Sequence, residues 1–463
     1  MNVNNLLLAL SVAVISACGG GGGGGGGGSS SGTTQTPVAA NISTATMAAG
    51  VQPWFHTYMK ISDGSEILVL TTMGPNAQAL SNPTPVLMAK ANSTGVMDVT
   101  DHYFTKAPNI YWGRNIVAFN DPKTDLQSLW FCNHGREVGS YKDAATPRIN
   151  GIWGEQDLLF TMQNGKFIDQ TLSLPQSNDF THGCASASIG DENSLVFIKN
   201  TLGVFDGNPS MQIFKKINNI FVNMPFDPSI LSNDMPTWWV GKGDFLKNGK
   251  DAIVFGQQVV SFIGNFYQVT QILKAPALEE QGYKNYQNGL VGDLNGDGYP
   301  DVIEILSGDG ISKPFLSGAM LAVFINDGHG RLQYSASAIP THQPTDFGLD
   351  LRIIDINFDG KMDIVSSGPK YGYQLNESIG DWSTTIVLVN NGDGTFSKKK
   401  IADAELNIRC AAAGILVCGR GTYFMASGDK NSYNLLMSGV NSSSGKWILY
   451  GRSVTINTPL VLD

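Results

Sequence analysis

Twice in this chain the same twelve-residue arrangement joins one apolar run to the next. Gly292-Asp293-Leu294-Asn295-Gly296-Asp297-Gly298-Tyr299-Pro300-Asp301-Val302-Ile303 is matched by Ile354-Asp355-Ile356-Asn357-Phe358-Asp359-Gly360-Lys361-Met362-Asp363-Ile364-Val365, an offset of 355 − 293 = 62. Downstream, Val323 to Leu332 matches Val387 to Phe396, an offset of 390 − 326 = 64. Two loops repeated at nearly one period imply a repeated unit: strand, aspartate-rich turn, strand, variable loop, strand, glycine-rich hairpin, strand. That unit is a four-stranded antiparallel sheet, and such sheets bury both faces only against neighbours, so copies must stack and the ring must close.

Weaker copies run along the rest of the chain. Gly243 to Asp251 precedes the apolar run Ala252 to Phe255, Ile189 to Asn193 precedes Ser194 to Ile198, and Ser427 to Asn431 precedes Tyr433 to Met437. Hairpin signals recur at Asn92-Ser93-Thr94-Gly95 and Gln163-Asn164-Gly165-Lys166. Cutting on these marks gives units near 51–104, 110–174, 181–225, 236–275, 286–340, 348–402 and 420–463. The expectation is an all-β chain, a seven-bladed β-propeller of four-stranded antiparallel blades; eight blades, with a divergent one between Leu80 and Gln176, is the alternative. Apolar runs of five or six residues and a near absence of helical periodicity agree with this.

The two complete units resemble the FG-GAP or VCBS repeats of integrin α-subunit propellers and of many bacterial surface proteins. Seven is the count the resemblance implies. The loops also carry their own chemistry. Oxygen donors fall at alternate positions, Asp293, Asn295, Asp297, the carbonyl of Tyr299 and Asp301, and again Asp355, Asn357, Asp359, the carbonyl of Lys361 and Asp363. A curled loop turns alternate side chains inward, and glycine at the sixth position permits the sharp turn. Calcium takes six to eight oxygens, whereas magnesium demands stricter geometry and soft metals prefer other donors. Two structural Ca2+ sites are expected. The loop at Asp244 has Leu246 at its third position and Asp251 one residue early, and those at Asp63, Asp121, Asp191 and Asp429 lack the donor set, so all five read as turns.

At the other end, Leu6 to Ile15 is an apolar run too short to span a bilayer, and Ile15-Ser16-Ala17-Cys18 resembles the bacterial lipobox. The resemblance implies residues 1–17 as a signal, Cys18 as the lipidated first residue, and anchoring at the outer membrane of a bacterial envelope. Gly19 to Gly28 and the Ser/Thr stretch that follows offer nothing to bury, so 18–50 reads as a flexible tether and 51–463 as the propeller. The lipid anchor would be the membrane contact.

The net charge of −9, with Lys and Arg scattered, excludes a nucleic-acid partner. Besides Cys18 there are four cysteines, which permit three pairings. Cys410 with Cys418 is favoured because they bracket one short segment, leaving Cys132 with Cys184; reduced thiols are the other reading. The six histidines show no metal-binding or nucleophile-activating spacing, and no acid–base pair can be named. Aromatics near the starts of several units, among them Trp54, Trp112, Trp238, Trp239, Tyr286 and Tyr423, either pack between blades or ring a channel mouth; Trp112, Trp238 and Trp239 are the candidate ligand contacts. The chain thus reads as a binding or adhesion module for a protein or glycan, the alternative being a polysaccharide lyase or glycosidase.

Overall fold

The structure, a computed structural model, describes residues 44–462 except 50, 74–82, 93–94, 112, 123, 138–151, 180, 189–194, 202–210, 225–238, 264–265, 309–311, 314–317, 340–346, 371–384, 403–414 and 442. Residues 1–43, with the signal, Cys18 and the glycine run, lie outside the described residues, as do Trp112, Trp238 and Cys410.

The described chain is a β-propeller of four-stranded antiparallel blades. Six blades are each drawn from one contiguous stretch: 52–98, 113–169, 181–223, 240–272, 283–334 and 348–400, called blades one to six. The cuts made on the sequence fall close to these bounds. The expected count of seven blades, with eight as the alternative, is corrected to six drawn from contiguous chain, and the difference lies at the last cut. There the chain supplies three strands, Ile415–Ala426, Ser432–Asn441 and Trp447–Thr455, and the fourth is Ala45–Thr46 from the opposite end. Ala45 pairs with Leu449 and Thr46 with Ile448, both antiparallel. Ala45 and Met47 are buried, so the stretch assigned to a tether through residue 50 joins the fold by its last residues. No extra blade lies between Leu80 and Gln176 among the described residues; that region adds only the short pairs Thr84–Pro85 with Asn109–Ile110 and Arg136–Glu137 with Ile152–Trp153.

Side-chain alternation explains the stacking. In Asp301–Gly308 of blade five, Val302 and Leu306 pack with Trp239, Val254 and Val259 of blade four, while Ile303 and Ile305 pack with Leu351, Ile364 and Leu388 of blade six. Both faces of one strand are therefore core, and each buried Val, Leu or Ile contributes about 1.5–3 kcal/mol. Similar apolar clusters join blade six to the composite sheet and the composite sheet to blade one. The innermost strands of blades one to six touch in turn, and Ile415–Ala426 closes the ring between Asp363–Lys370 of blade six and Glu66–Met73 of blade one. Between blades two and three the structure joins Cys132 to Cys184 in a disulfide.

Candidate functional site

The two aspartate loops lie between the first and second strands of blades five and six, Tyr283–Gly292 to Asp301–Gly308 and Gly348–Ile354 to Asp363–Lys370. They fold alike. Positions four and six take left-handed backbone, at Gly296 and Gly298 in one and Phe358 and Gly360 in the other. Asp293 accepts from the N–H groups of Gly296 and Gly298 at 2.7 Å each, and Asp355 accepts from those of Asp359 and Gly360 at 3.1 and 2.8 Å. Asp297 and Asp359 accept from Tyr299 and Lys361. The ninth residue is the anchor. Asp301 accepts from Leu294 N–H and Asn326 N–H, and Asp363 from Ile356 N–H and Asn390 N–H, tying each loop to the third strand of its blade.

Both anchors are fully buried. Burial, followed by the charges of Asp297 and Asp293, pushes the Asp301 carboxyl up to about 6. Asp363 is likewise pushed up to about 6 by burial and by Asp359 and Asp355. A divalent cation would offset that crowding of negative charge, and the donors are all oxygen, so the residues fit calcium in chemistry. As placed, the oxygens are engaged by the loops' own N–H groups, and no three His, Cys, Asp or Glu side chains among the described residues are grouped to hold a metal ion. The incomplete loops behave as turns. Asp63, Asp121 and Asp429 accept from N–H groups two or three residues on, and Asp251 faces Ser188 N–H and Lys242 instead of closing the Asp244 loop. Asp191 lies outside the described residues.

Trp239 does not line a rim: it is buried between blades four and five, where its ring takes the space over Gly241 and Gly289. A Cβ on Gly289 would come within 2.8 Å of that ring, which is why the facing strand is bare there. Tyr286 and Tyr423 are buried too, so packing between blades is what these aromatics do.

A cluster that spacing did not disclose sits where the innermost strands of blade one, blade six and the composite sheet meet. His56 Nδ1 lies 3.8 Å from Asp350 Oδ2, with the rings of Tyr58 and Tyr423 edge-on to the imidazole at 5.1 and 4.9 Å. Arg352 Nη2 donates to both Glu66 oxygens at 2.7 and 2.6 Å, and its guanidinium lies 4.0 Å over the Tyr58 ring. Glu66 also accepts from Ala426 N–H. Burial, helped by the Arg352 charge, pushes His56 down to about 3, and burial pushes Asp350 up to about 7. Near neutral pH the histidine is therefore uncharged, and the 3.8 Å approach is not an ion pair. Tyr58 is pushed above the usual range by burial. An uncharged imidazole, a carboxyl titrating near neutrality and a fixed guanidinium are the parts of proton-transfer chemistry. On the outer edge, a groove of about 440 Å³ between blades four and five is lined by Lys274, Arg331 and Tyr334 among others.

Residues 293–366 match the model of the FG-GAP-like repeat. No curated protein matches the chain. Among solved structures, a protein of unknown function from Dyadobacter fermentans is 9% identical, with a TM-score of 0.40 over 88% of this chain and 96% of its own. The polysaccharide lyase Uly1 is 10% identical, with a TM-score of 0.43 over 91% and 94%. An α-L-arabinofuranosidase from Fusarium graminearum is 9% identical, with a TM-score of 0.36 over 90% and 99%. Likenesses this weak carry no chemistry across.

Proposed function

From the premise of an FG-GAP-repeat β-propeller, we propose a calcium-stabilised binding module, anchored by lipid on Cys18 in a bacterial envelope and presenting its blades to a protein or glycan. The observation that carries the calcium reading is the pair of complete loops in consecutive blades, alike in backbone, donors and buried anchor. Calcium that binds the native state alone raises stability by linkage, by about 2.7 kcal/mol at a hundred times its dissociation constant. Thermal unfolding with calcium should therefore lie several degrees above unfolding with chelator; coincident curves from a metal-free sample would count against the ion. The anchor is tested separately, since Cys18→Ser should remove lipid labelling and release the protein into the soluble fraction, and a variant that stays labelled refutes it.

A second reading is favoured by the His56 cluster: a polysaccharide-active enzyme in which uncharged His56 takes a proton, Tyr58 supplies one and Arg352 holds an anionic sugar group. The binding-module reading stands first because His56 and Asp350 are largely enclosed by their own neighbours, whereas the groove lined by Lys274, Arg331 and Tyr334 is open.

A further inference from the structure

The hairpin that repeats at an offset of 390 − 326 = 64 begins in each blade with an asparagine that neither reading uses. Asn326 ends the third strand of blade five and Asn390 that of blade six. Both are almost wholly buried. The side-chain oxygen shapes the hairpin: Asn326 accepts from Gly328 and Gly330 N–H at 3.0 and 3.1 Å, and Asn390 from Gly392 N–H at 2.8 Å. The side-chain nitrogen reaches out of the blade. Asn390 Nδ2 donates to Leu294 O at 2.6 Å, in the aspartate loop of blade five, and Asn326 Nδ2 donates to Phe245 O at 2.9 Å, in the Asp244 loop of blade four. A second bond from each, to Met362 O at 3.0 Å and to Pro300 O at 3.1 Å, holds the residue just before its own blade's anchor.

These bonds join end to end. Asp363 accepts from Asn390 N–H at 2.8 Å, Asn390 Nδ2 holds the Leu294 carbonyl, Leu294 N–H donates to Asp301 at 2.8 Å, and Asp301 accepts from Asn326 N–H at 2.7 Å. The two anchors are thus linked through Leu294, whose own side chain is fully buried among Ile364 and Leu388 of blade six. Phe245 fills the interface of blades four and five in the same way. Each of these groups is buried, where a broken bond finds no ready substitute, so the loop of blade five cannot shift without giving up a contact in blade six. We propose that Asn326 and Asn390 are positioning residues that couple the loops of neighbouring blades, so that what orders the loop of blade six also orders that of blade five. The coupling holds with or without a metal; resting on the calcium reading, it also makes uptake of Ca2+ by the two complete loops cooperative, each raising the other's affinity by the same factor.

The test follows amide hydrogen exchange in the full chain, in chelator, with the exchanging segments located by proteolysis and mass spectrometry. The substitution Asn390→Ala is in blade six, yet it should speed exchange in 293–301 of blade five by about tenfold or more. Glu66–Met73 and Gln127–Asn133 should keep their rates, whereas loss of a residue that served only overall stability would speed every segment alike. Asn326→Ala should act in the same way on 243–251 of blade four. Because a variant can fail to fold, the unmutated chain is also exchanged in rising sub-denaturing urea, where coupled loops at 293–301 and 355–363 should open together with one urea dependence. Changes confined to blade six in Asn390→Ala, or separate openings with different urea dependences, overturn the coupling. Calcium titration is the second arm: the Hill slope should exceed one in the unmutated protein and fall to one in Asn390→Ala. A slope of one in the unmutated protein counts against the coupling, while absence of uptake refutes the calcium reading alone and the exchange rates still decide the link.

Discussion

Asp301 and Asp363 each hold two backbone N–H groups from full burial, and that position sets how the metal-free protein should respond to pH. Both carboxyls are pushed up to about 6, whereas an unfolded aspartate titrates near 3.9. Below pH 4 both states are protonated and the groups cost nothing. Between about 4 and 6 only the unfolded chain ionises, so stability falls as pH rises and stays low above the folded pKa. On the proposed reading, calcium held by the loops would lower the folded pKa and reverse the slope. In chelator, the melting temperature should therefore drop from pH 4.5 to 7, and the double variant Asp301→Asn, Asp363→Asn should drop less; in calcium the unmutated protein should gain over the same range. A slope unaffected by calcium would separate these carboxylates from any metal. The loops were legible in the sequence because their donors lie within nine residues. His56 and Asp350 are 350 − 56 = 294 positions apart and meet only when the ring closes, so no spacing rule reaches them.

Strand boundaries were legible wherever apolar runs were set off by Asp, Asn and Gly, as in blades five and six. Ala45–Thr46 was not, since two residues beside a Gly- and Thr-rich stretch carry no periodicity; its strand character comes from the open edge of Trp447–Thr455. Met47 adds a backbone bond to Trp447 O at 2.8 Å and a buried side chain. Burying a methionine is worth about 1.5–3 kcal/mol, and a net hydrogen bond about 1. A chain beginning at residue 51 should thus be less stable than one beginning at 44 by roughly 2–4 kcal/mol by that reckoning, seen as an earlier midpoint in urea. Equal midpoints would show the strand to be dispensable. Trp239 teaches the same point from another side: its composition suits a rim, but the bare strand at Gly289 that receives its ring could be recognised only in three dimensions.

For the molecule as a whole, binding and turnover make opposite predictions. Calcium-loaded protein exposed to a glycan array and to soluble polysaccharides should retain an unaltered partner if it is a binding module, and Lys274→Ala with Arg331→Ala should weaken capture of anionic glycans several-fold. If it is an enzyme, reducing or unsaturated ends accumulate and His56→Ala stops them. The ring also sets a schedule. Residues 45 and 449 are 404 positions apart yet paired. At synthesis rates of about 5–20 residues per second, the first strand waits on the order of 20–80 s for its partner to exist. Throughout that interval the blades already made must stand as an open arc with apolar end faces uncovered, so a companion that shields those faces during synthesis would matter more to the yield of folded protein than to its final stability.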